Sequence, residues 1–576
     1  MDIKSRFSSL WAPSESKNLT FLSVVVGAAA GFAAFLFIKL IGAVQLWLAH
    51  IAHWHLSLIN RGILMTAPAM GGLAAGWLVQ RFASAHRGTG TAQVIYSLRR
   101  RNGFIPIDVT LAKTLASALT IGTGGSAGPE GPAVQIGAGL GSLIGRWRRL
   151  PPEYLKTLVA AGAAAGVAAV FNAPIAGVMY ALEVLLRQTA SQAFAVVVLS
   201  TVTASMVSYF LVGHRIFFEA PSFTAGRPTE WIAYAVLGVL TAVAARLFTG
   251  IFLAVEQGFN RLQRLTLPMR AMLGGLAVGV LGFFHPEVMG AGHDIVSQLL
   301  QGGSPLALGG LFLGVILIEK MLATAFTLAS GGSGGLFVPT LSMGAMLGAL
   351  VGHAVHWFIP QAAPTWAYAL LGMGGMFAGF TYAPITSVML LFEMTNDYPI
   401  ILPAMFVIGV TTLVSRALDP DSLDGHELKH KGLRLHDDAM LSGLENVTVQ
   451  EVMSSPVEML PETATLRDIA QWMAKSRHTG VPIGNADGKV VGLITYSELH
   501  DAYDESNQSP ESSIAKGIMR VRFPTVVPTD SLTEAVHRMQ NENVDRVLVL
   551  STEEPGKAAG IITRSDILKI YRAALK

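Results

Sequence analysis

A glutamate surrounded by glycine and proline is the residue best placed to do chemistry in this sequence. Glu130 lies in the run Gly128-Pro-Glu-Gly-Pro132, which follows an apolar segment. A carboxylate within a membrane is costly and is a functional candidate by default. When ionised it can occupy an anion site, and it can leave that site when it binds a proton. We therefore predict that Glu130 is a gate and a candidate proton carrier; the alternative is an interfacial glutamate that caps a helix.

The loop around Glu130 recurs in the second half of the chain. Residues 113–132 read KTLASALTIGTGGSAGPEGP and residues 320–339 read KMLATAFTLASGGSGGLFVP, with half of the positions identical. A second match, FNAPIAGVMYALEV against TYAPITSVMLLFEM, places Glu183 opposite Glu393. Both matches have a spacing of about 210 residues, which predicts a duplicated membrane half of the kind found in transporters.

The repeated loops have the composition of helix starts that bind anions. Glycine exposes backbone N–H groups, and proline in the first turn removes no donor that the helix needs. The positive end of a helix stabilises an anion by about 0.3–1 kcal/mol in exposed settings, and by more where water is excluded. Helix starts after Gly124–Pro132 and Gly331–Pro339 would converge from opposite halves on an anion.

Composition indicates that membrane helices position these loops. The chain has 576 residues, of which 51% are hydrophobic and 14% charged, whereas soluble proteins have about 25% charged residues. Runs at 21–48, 231–253 and 306–328 are long enough to cross a hydrocarbon core of about 30 Å. Sixty glycines allow close helix contacts and irregular backbone along a cavity. We predict an all-α polytopic membrane protein with an inverted internal repeat and broken helices.

Changes in composition predict the domain boundaries. Basic clusters at Arg99–Arg101 and Arg146–Arg149 are typical of cytoplasmic loops, so we expect a multi-pass protein of the cell (inner) membrane with its soluble domain in the cytoplasm. The predicted segments are, in order, a cytoplasmic N-terminus (1–18), two membrane halves within 19–418 (about 19–212 and 230–418), a linker (419–446) and two soluble modules (447–505 and 513–574).

Several function classes are disfavoured. A net charge of +3 is too weak to indicate nucleic acid binding, and a chain without cysteine has no disulfides or thiol nucleophiles. Both Gly-Gly-Ser loops match the hydrolase pattern G-x-S-x-G, but that motif needs a preceding strand, so we predict no enzyme. Two histidine groups are typical of a membrane interface rather than a metal site: His50, His53, His55 and His353, His356.

In their order along the chain, the loops resemble those of the CLC family of chloride channels and chloride/proton exchangers. Gly128–Pro132 is similar to the family's gating motif Gly-Arg-Glu-Gly-Pro, with Pro129 in place of arginine. Gly335-Leu-Phe-Val-Pro339 is similar to Gly-Ile-Phe-Ala-Pro, and Gly88-Thr-Gly-Thr-Ala92 stands in the place of Gly-Ser-Gly-Ile-Pro. The run at 171–177, Phe-Asn-Ala-Pro-Ile-Ala-Gly, also resembles the family.

The resemblance implies a path for chloride or another small anion through each subunit of a homodimer in the lipid bilayer. Glu130 would be the gate, and Thr89 would supply the hydroxyl group of the central site. Residues of the two loops would line the anion site: Gly128, Pro129, Gly131, Gly335, Leu336 and Phe337.

Two positions depart from the family pattern. Exchangers commonly carry a glutamate just after the position of Glu183, where this chain has Val184, so a proton path through Glu130 and Glu183 would lack its inner carboxylate. The family's pore tyrosine is also missing, because the aligned stretch is Ser422-Leu-Asp424. The first departure favours a chloride channel. The alternative is a chloride/proton antiporter, in which Glu183 or water replaces the lost carboxylate.

The C-terminal part resembles a pair of CBS modules, an α/β fold. Thr563 and Asp566 match positions that contact the phosphate and ribose of adenine nucleotides, and Thr495 matches in the first module. Glu498 is one methylene longer than the family's aspartate. The resemblance therefore implies binding of ATP, ADP or AMP, with a purely structural dimerisation module as the alternative.

Two other functions fit the sequence less well. A membrane-anchored nucleotide sensor needs neither the internal repeat nor the loop around Glu130. A cation transporter should carry several acidic residues at the midplane, and the sequence indicates few.

Overall fold

A computed structural model describes most of the chain, in two compact units, Met1–Leu433 and Arg434–Lys576. The segment 1–14, His55 and half of the predicted linker lie outside the described residues. The described residues are 15–53, 57–83, 88–187, 191–213, 218, 221, 223, 229–301, 310–431, 433, 447–476, 479–505, 514–542 and 544–574.

Helices build the first unit. Within its described ranges, eight helices are long and apolar enough to cross a membrane, which confirms a polytopic membrane protein. A π-helical turn, Ala181–Leu186, follows α7, and a 3-10 turn, Pro286–Val288, follows α10. The helices are α1 (Glu15–His53), α2 (Ser57–Phe82), α3 (Gly90–Arg100), α4 (Ile107–Gly122), α5 (Glu130–Trp147), α6 (Pro152–Phe171), α7 (Pro174–Tyr180), α8 (Ser191–Val212), α9 (Glu230–Arg261), α10 (Leu267–Phe284), α11 (His293–Leu300), α12 (Gly310–Ala329), α13 (Phe337–Phe358), α14 (Thr365–Thr381), α15 (Pro384–Thr395), α16 (Ile401–Leu418) and α17 (Leu423–His430).

The repeated Ala-Pro-Ile sequences interrupt the helices at equivalent places. Helix α6 ends on Asn172 and α14 ends on Tyr382, both in the left-handed conformation that closes a helix. Pro174 and Pro384 then begin α7 and α15. Proline cannot continue the preceding helix but fits the first turn of the next one. The predicted broken helices are therefore confirmed.

Reciprocal hydrogen bonds relate the two halves by a pseudo-twofold axis. The backbone N–H of Ser126 donates to Thr327 Oγ1 at 2.9 Å, and that of the equivalent Ser333 donates to Thr120 Oγ1 at 3.2 Å. A contact that recurs with its partners exchanged is the signature of a twofold-related interface. The inverted internal repeat is thus confirmed, and the serines of both G-x-S-x-G matches lie in the interface between the repeats.

Glycine contacts repeat in the same way. A Cβ atom added to Gly137 on α5 or to Gly162 on α6 would lie 1.9 or 2.1 Å from the other glycine's carbonyl oxygen. The equivalent contact joins Gly344 on α13 to Gly372 on α14, at 2.3 Å in both directions. Small residues at these crossings let the helices that follow the central loops pack backbone against backbone.

The second unit contains two similar α/β modules, which confirms the predicted CBS pair. In each three-stranded sheet the first strand is parallel to the second and the second antiparallel to the third. The elements are α18 (Val449–Val452), β1 (Leu460–Pro461), α19 (Leu466–Ser476), β2 (Gly480–Gly484), β3 (Val490–Thr495), α20 (Tyr496–Glu505), α21 (Ala515–Ile518), β4 (Thr525–Val526), α22 (Leu532–Asn541), β5 (Arg546–Leu550), β6 (Ala558–Thr563) and α23 (Arg564–Ala574).

The two modules exchange short pairings. Ser454, which precedes the first sheet, pairs with Ile561 of β6, and Arg520, which precedes the second sheet, pairs with Leu493 of β3. Each module therefore completes part of its neighbour's sheet edge. The exchange protects strand edges that would otherwise expose unpaired backbone groups.

Candidate functional site

The two repeated loops meet in the buried interior of the membrane unit. Gly128 N donates to Gly335 O at 2.9 Å, and Gly335 N donates to Gly128 O at 2.7 Å. Just beyond this bridge, α5 begins at Glu130 and α13 begins at Phe337. The start of α3 joins them, because Gly90 lies so close that an added Cβ would be 2.3 Å from Gly131 O. Three helix N-termini, with their positive dipole ends, thus converge on one place.

The carboxylate of Glu130 occupies the donors at the start of α13. Its Oε1 accepts from Phe337 N at 2.5 Å and from Val338 N at 3.3 Å. Its Oε2 is buried and has no partner among the described residues. A Cβ added to Gly128 or Gly335 would lie within 2.5 Å of this carboxylate, so only glycine leaves room for it. Glu130 thus bridges the two repeats and covers backbone donors that an anion could use.

Aromatic side chains fix the position of Phe337. Its ring packs edge-on against Tyr180, with centroids 5.3 Å apart, and against Phe377, with centroids 4.7 Å apart. The hydroxyl group of the buried Tyr180 lies 2.8 Å from Thr91 Oγ1. Tyr180 therefore ties the start of α3 to the start of α13. The sequence alone does not single out Tyr180, because a tyrosine in an apolar helix gives no distinctive signal.

Thr89, the predicted central-site residue, faces carboxylates. Both its backbone N–H and its hydroxyl group donate to Glu427 Oε2, at 2.9 and 2.8 Å, and the hydroxyl also lies 3.1 Å from Asp424 Oδ1. Both acids belong to α17, which lies inside the predicted linker. A helix could have been predicted there, because Ser422 precedes an acidic first turn and a basic last turn.

Two lysines at equivalent positions of the two repeats donate hydrogen bonds to loops beside the site. The buried Lys113 donates to Gly88 O at 2.9 Å and to Gln93 Oε1 at 2.7 Å. Its repeat counterpart Lys320 donates to Val288 O at 2.9 Å and to Gly290 O at 2.8 Å. Each lysine satisfies carbonyl groups that irregular backbone would otherwise leave unpaired within the protein.

Glu183 and Glu393 cap helices of the opposite repeat. Glu183 accepts from Ile385 N at 3.2 Å and from Thr386 N at 2.8 Å, at the start of α15. Glu393 accepts from Ile175 N at 2.8 Å and from Ala176 N at 2.6 Å, at the start of α7. This symmetric geometry supports a structural role for both. Val184 is buried next to Glu183 and offers no proton-binding group.

The cap supplied by Glu393 leads to a stability prediction. Glu393→Ala leaves two backbone N–H groups without their acceptor, and we expect a loss of about 1–3 kcal/mol for each unsatisfied donor. The midpoint of thermal unfolding in detergent should therefore fall. Glu153→Ala, which removes an exposed glutamate, is the control and should leave the midpoint unchanged. Equal midpoints for both variants would contradict the capping role.

The CBS acids also cap helices. Asp566 Oδ2 accepts from Thr563 N at 3.1 Å and from Thr563 Oγ1 at 2.7 Å. Burial opposes ionisation of Asp566, but these hydrogen bonds and Lys569 hold its pKa below the usual value. Glu498 likewise accepts from the backbone N–H of Thr495 at 2.9 Å and from its hydroxyl group. The longer side chain of Glu498 therefore reaches the same capping position.

Comparison with known proteins identifies both units. Residues 71–416 match the family described as "Voltage gated chloride channel", which is more than half of the chain, and residues 449–505 and 515–573 match the CBS domain. The chain belongs to the CLC family. Anion transport of the CLC type is thereby assigned to the membrane unit.

The CLC relatives include proteins named as channels and as exchangers. The chain is 30% identical to "Chloride channel protein CLC-e" of Arabidopsis thaliana, covering 88% of this chain and 69% of the relative. It is 31% identical to "H(+)/Cl(-) exchange transporter ClcA" of Klebsiella pneumoniae subsp. pneumoniae, covering 69% and 85%. A slow cyanobacterial Cl-/H+ antiporter has a similar structure, with a TM-score of 0.66, 25% identity, and coverage of 72% and 97%.

Proposed function

We propose that this CLC protein is a chloride channel in which Glu130 is the gate. The observation that carries the proposal is the contact of the Glu130 carboxylate with Phe337 N and Val338 N, across the boundary between the repeats. The comparison of chloride flux between the wild type and Glu130→Gln, described in the Discussion, tests it.

Gating would work by competition for these donors. An ionised Glu130 holds the N–H groups at the start of α13 through charge-assisted hydrogen bonds, which are roughly twice as strong as neutral ones. A proton removes that charge, so chloride can displace the side chain and bind the same donors. The three converging helix starts stabilise the incoming anion through their positive dipole ends.

The proposal of a channel rather than an exchanger rests on Val184. A buried valine cannot pass a proton between Glu130 and the inner solution. The adjacent Glu183 is engaged with two backbone donors of α15, which favours a structural role. The alternative is chloride/proton antiport, which the names of the Klebsiella and cyanobacterial relatives favour. The coupling measurement in the Discussion separates the two.

We further propose that the protein is a homodimer in the inner membrane with its CBS pair in the cytoplasm. The basic clusters at Arg99–Arg101 and Arg146–Arg149 support this orientation under the positive-inside rule. Protease treatment of sealed, inside-out membrane vesicles should remove the CBS pair, and right-side-out vesicles should protect it. The opposite pattern would contradict the orientation.

We also propose that the CBS pair binds an adenine nucleotide, mainly at Asp566. A carboxylate that accepts hydrogen bonds from a ribose diol contributes about 1.5–3 kcal/mol, so Asp566→Ala should weaken binding about tenfold to a hundredfold. Calorimetry of the purified full chain with ATP, ADP and AMP measures this.

Asp468→Ala is the matched control for the nucleotide site. Asp468 caps α19 by accepting from Thr465 N at 3.0 Å and Thr465 Oγ1 at 2.7 Å, but it lies outside the positions that match the nucleotide motif. It should leave nucleotide affinity unchanged. Absence of heat with any of the three nucleotides at millimolar concentration would leave the CBS pair as a dimerisation module.

A further inference from the structure

A second carboxylate covers donors of the anion path at Thr89. Glu427 Oε2 accepts both from Thr89 N at 2.9 Å and from Thr89 Oγ1 at 2.8 Å. Glu130 Oε1 accepts in the same way from two donors at the start of α13. In both places one carboxylate oxygen lies where two hydrogen-bond donors converge, which is the position that a bound halide would take.

We propose that Glu427 is a second gate, which competes with the transported anion for the backbone N–H and hydroxyl groups of Thr89. The proposal rests on the proposed function, because it takes Thr89 as part of the anion path. It adds a control point on α17 that is separate from Glu130. The anion path would then be closed by two tethered carboxylates rather than by one.

The structure provides space and an alternative partner for the displaced carboxylate. Thr89 and Glu427 line a cavity of about 130 Å³, which also borders Lys113, Arg270 and Ser333. This volume exceeds that of several water molecules. On its other side, Glu427 Oε1 lies 2.8 Å from Lys431 Nζ, whose side chain is partly exposed. Lys431 can therefore retain the carboxylate when an anion takes its place at Thr89.

Asp424 places a second carboxylate beside Thr89. It is buried, and its Oδ1 lies 3.1 Å from the same hydroxyl group that donates to Glu427. Two carboxylates beside one donor repel each other, which makes the carboxylate of Glu427 easier to displace from Thr89.

Chloride efflux in a Glu130→Gln background tests the second gate, because the first gate is then neutral at every pH. Adding Glu427→Gln keeps the shape of the side chain but removes its charge. We expect efflux at neutral pH to rise about tenfold. Asp421→Asn is the matched control, since Asp421 precedes α17 and lies 3.5 Å from Lys429 rather than on Thr89. It should change efflux less than twofold.

A second variant keeps the test decisive if Glu427→Gln does not fold. Lys431→Ala removes the alternative partner of the carboxylate and should lower efflux about threefold at neutral pH, because Glu427 then stays on Thr89. Chloride titration of the purified proteins by calorimetry should show weaker binding for Lys431→Ala and tighter binding for Glu427→Gln.

The outcomes separate the second gate from the proposed function. All the proteins could show efflux, with equal rates when Glu427→Gln or Asp421→Asn is added to the Glu130→Gln background. That result overturns the gate at Glu427 and leaves Glu130 as the gate. No chloride efflux from any of the proteins overturns the proposed function, and the second gate with it.

Discussion

Glu130→Gln is expected to remove most of the pH dependence of chloride flux and to raise the flux at neutral pH. Glutamine has the shape of the protonated side chain but never carries its charge. The charge-assisted hydrogen bonds from Phe337 N and Val338 N are then lost, and chloride meets a weaker competitor. Hydrogen bonds to a charged group contribute about 1.5–3 kcal/mol, so neutral-pH flux should rise about tenfold to a hundredfold.

The measurement is chloride efflux from liposomes that contain the purified protein, at a series of pH values from acidic to neutral. Glu153→Gln, an exposed glutamate at the start of α6, is the control and should keep the wild-type pH profile. A Glu130→Gln profile that follows that of the wild type would exclude Glu130 as the gate.

A chloride gradient is expected to drive no uphill movement of protons. Coupled exchange needs a proton path from Glu130 to the inner solution, and our proposal is that the buried Val184 interrupts this path. The pH of a weakly buffered external solution should therefore stay constant while chloride leaves the liposomes. The positive control is the same recording with a known chloride/proton exchanger.

Proton pumping at a fixed ratio to chloride would contradict the channel proposal and favour the antiporter alternative. The carboxylates of α17 would then be candidate proton carriers, because these acidic groups lie next to Thr89. Chloride transport itself would still stand in that case.

The sequence predicts the architecture because the repeat contains glycine and proline at positions where they restrict the local backbone conformation. Glycine and proline fix where α5 and α13 begin, and the Ala-Pro pairs fix where α6 and α14 end. Those constraints are local, so they can be recognised without knowing any contact. The structure adds their mutual arrangement, in which Gly128 and Gly335 pair across the repeat boundary.

The contacts of the site follow from packing that the sequence does not show. Glu183 and Glu393 could be aligned with each other, but their donors lie about 200 residues away on the opposite repeat. Glu427 is also remote from Thr89, 338 positions further along the chain. The acidic first turn and the basic last turn of α17 predict a helix but not its neighbour. The helix could therefore be predicted from the sequence, but its contact with Thr89 could not.

The central claim is that this chain moves chloride along a path closed by Glu130. Its most direct test is chloride efflux from liposomes that contain the wild-type protein, recorded together with proton movement and compared with Glu130→Gln. We predict chloride efflux without proton transport, which rises in the variant and loses its pH dependence. Chloride retention equal to that of protein-free liposomes, in both the wild type and the variant, would contradict the claim.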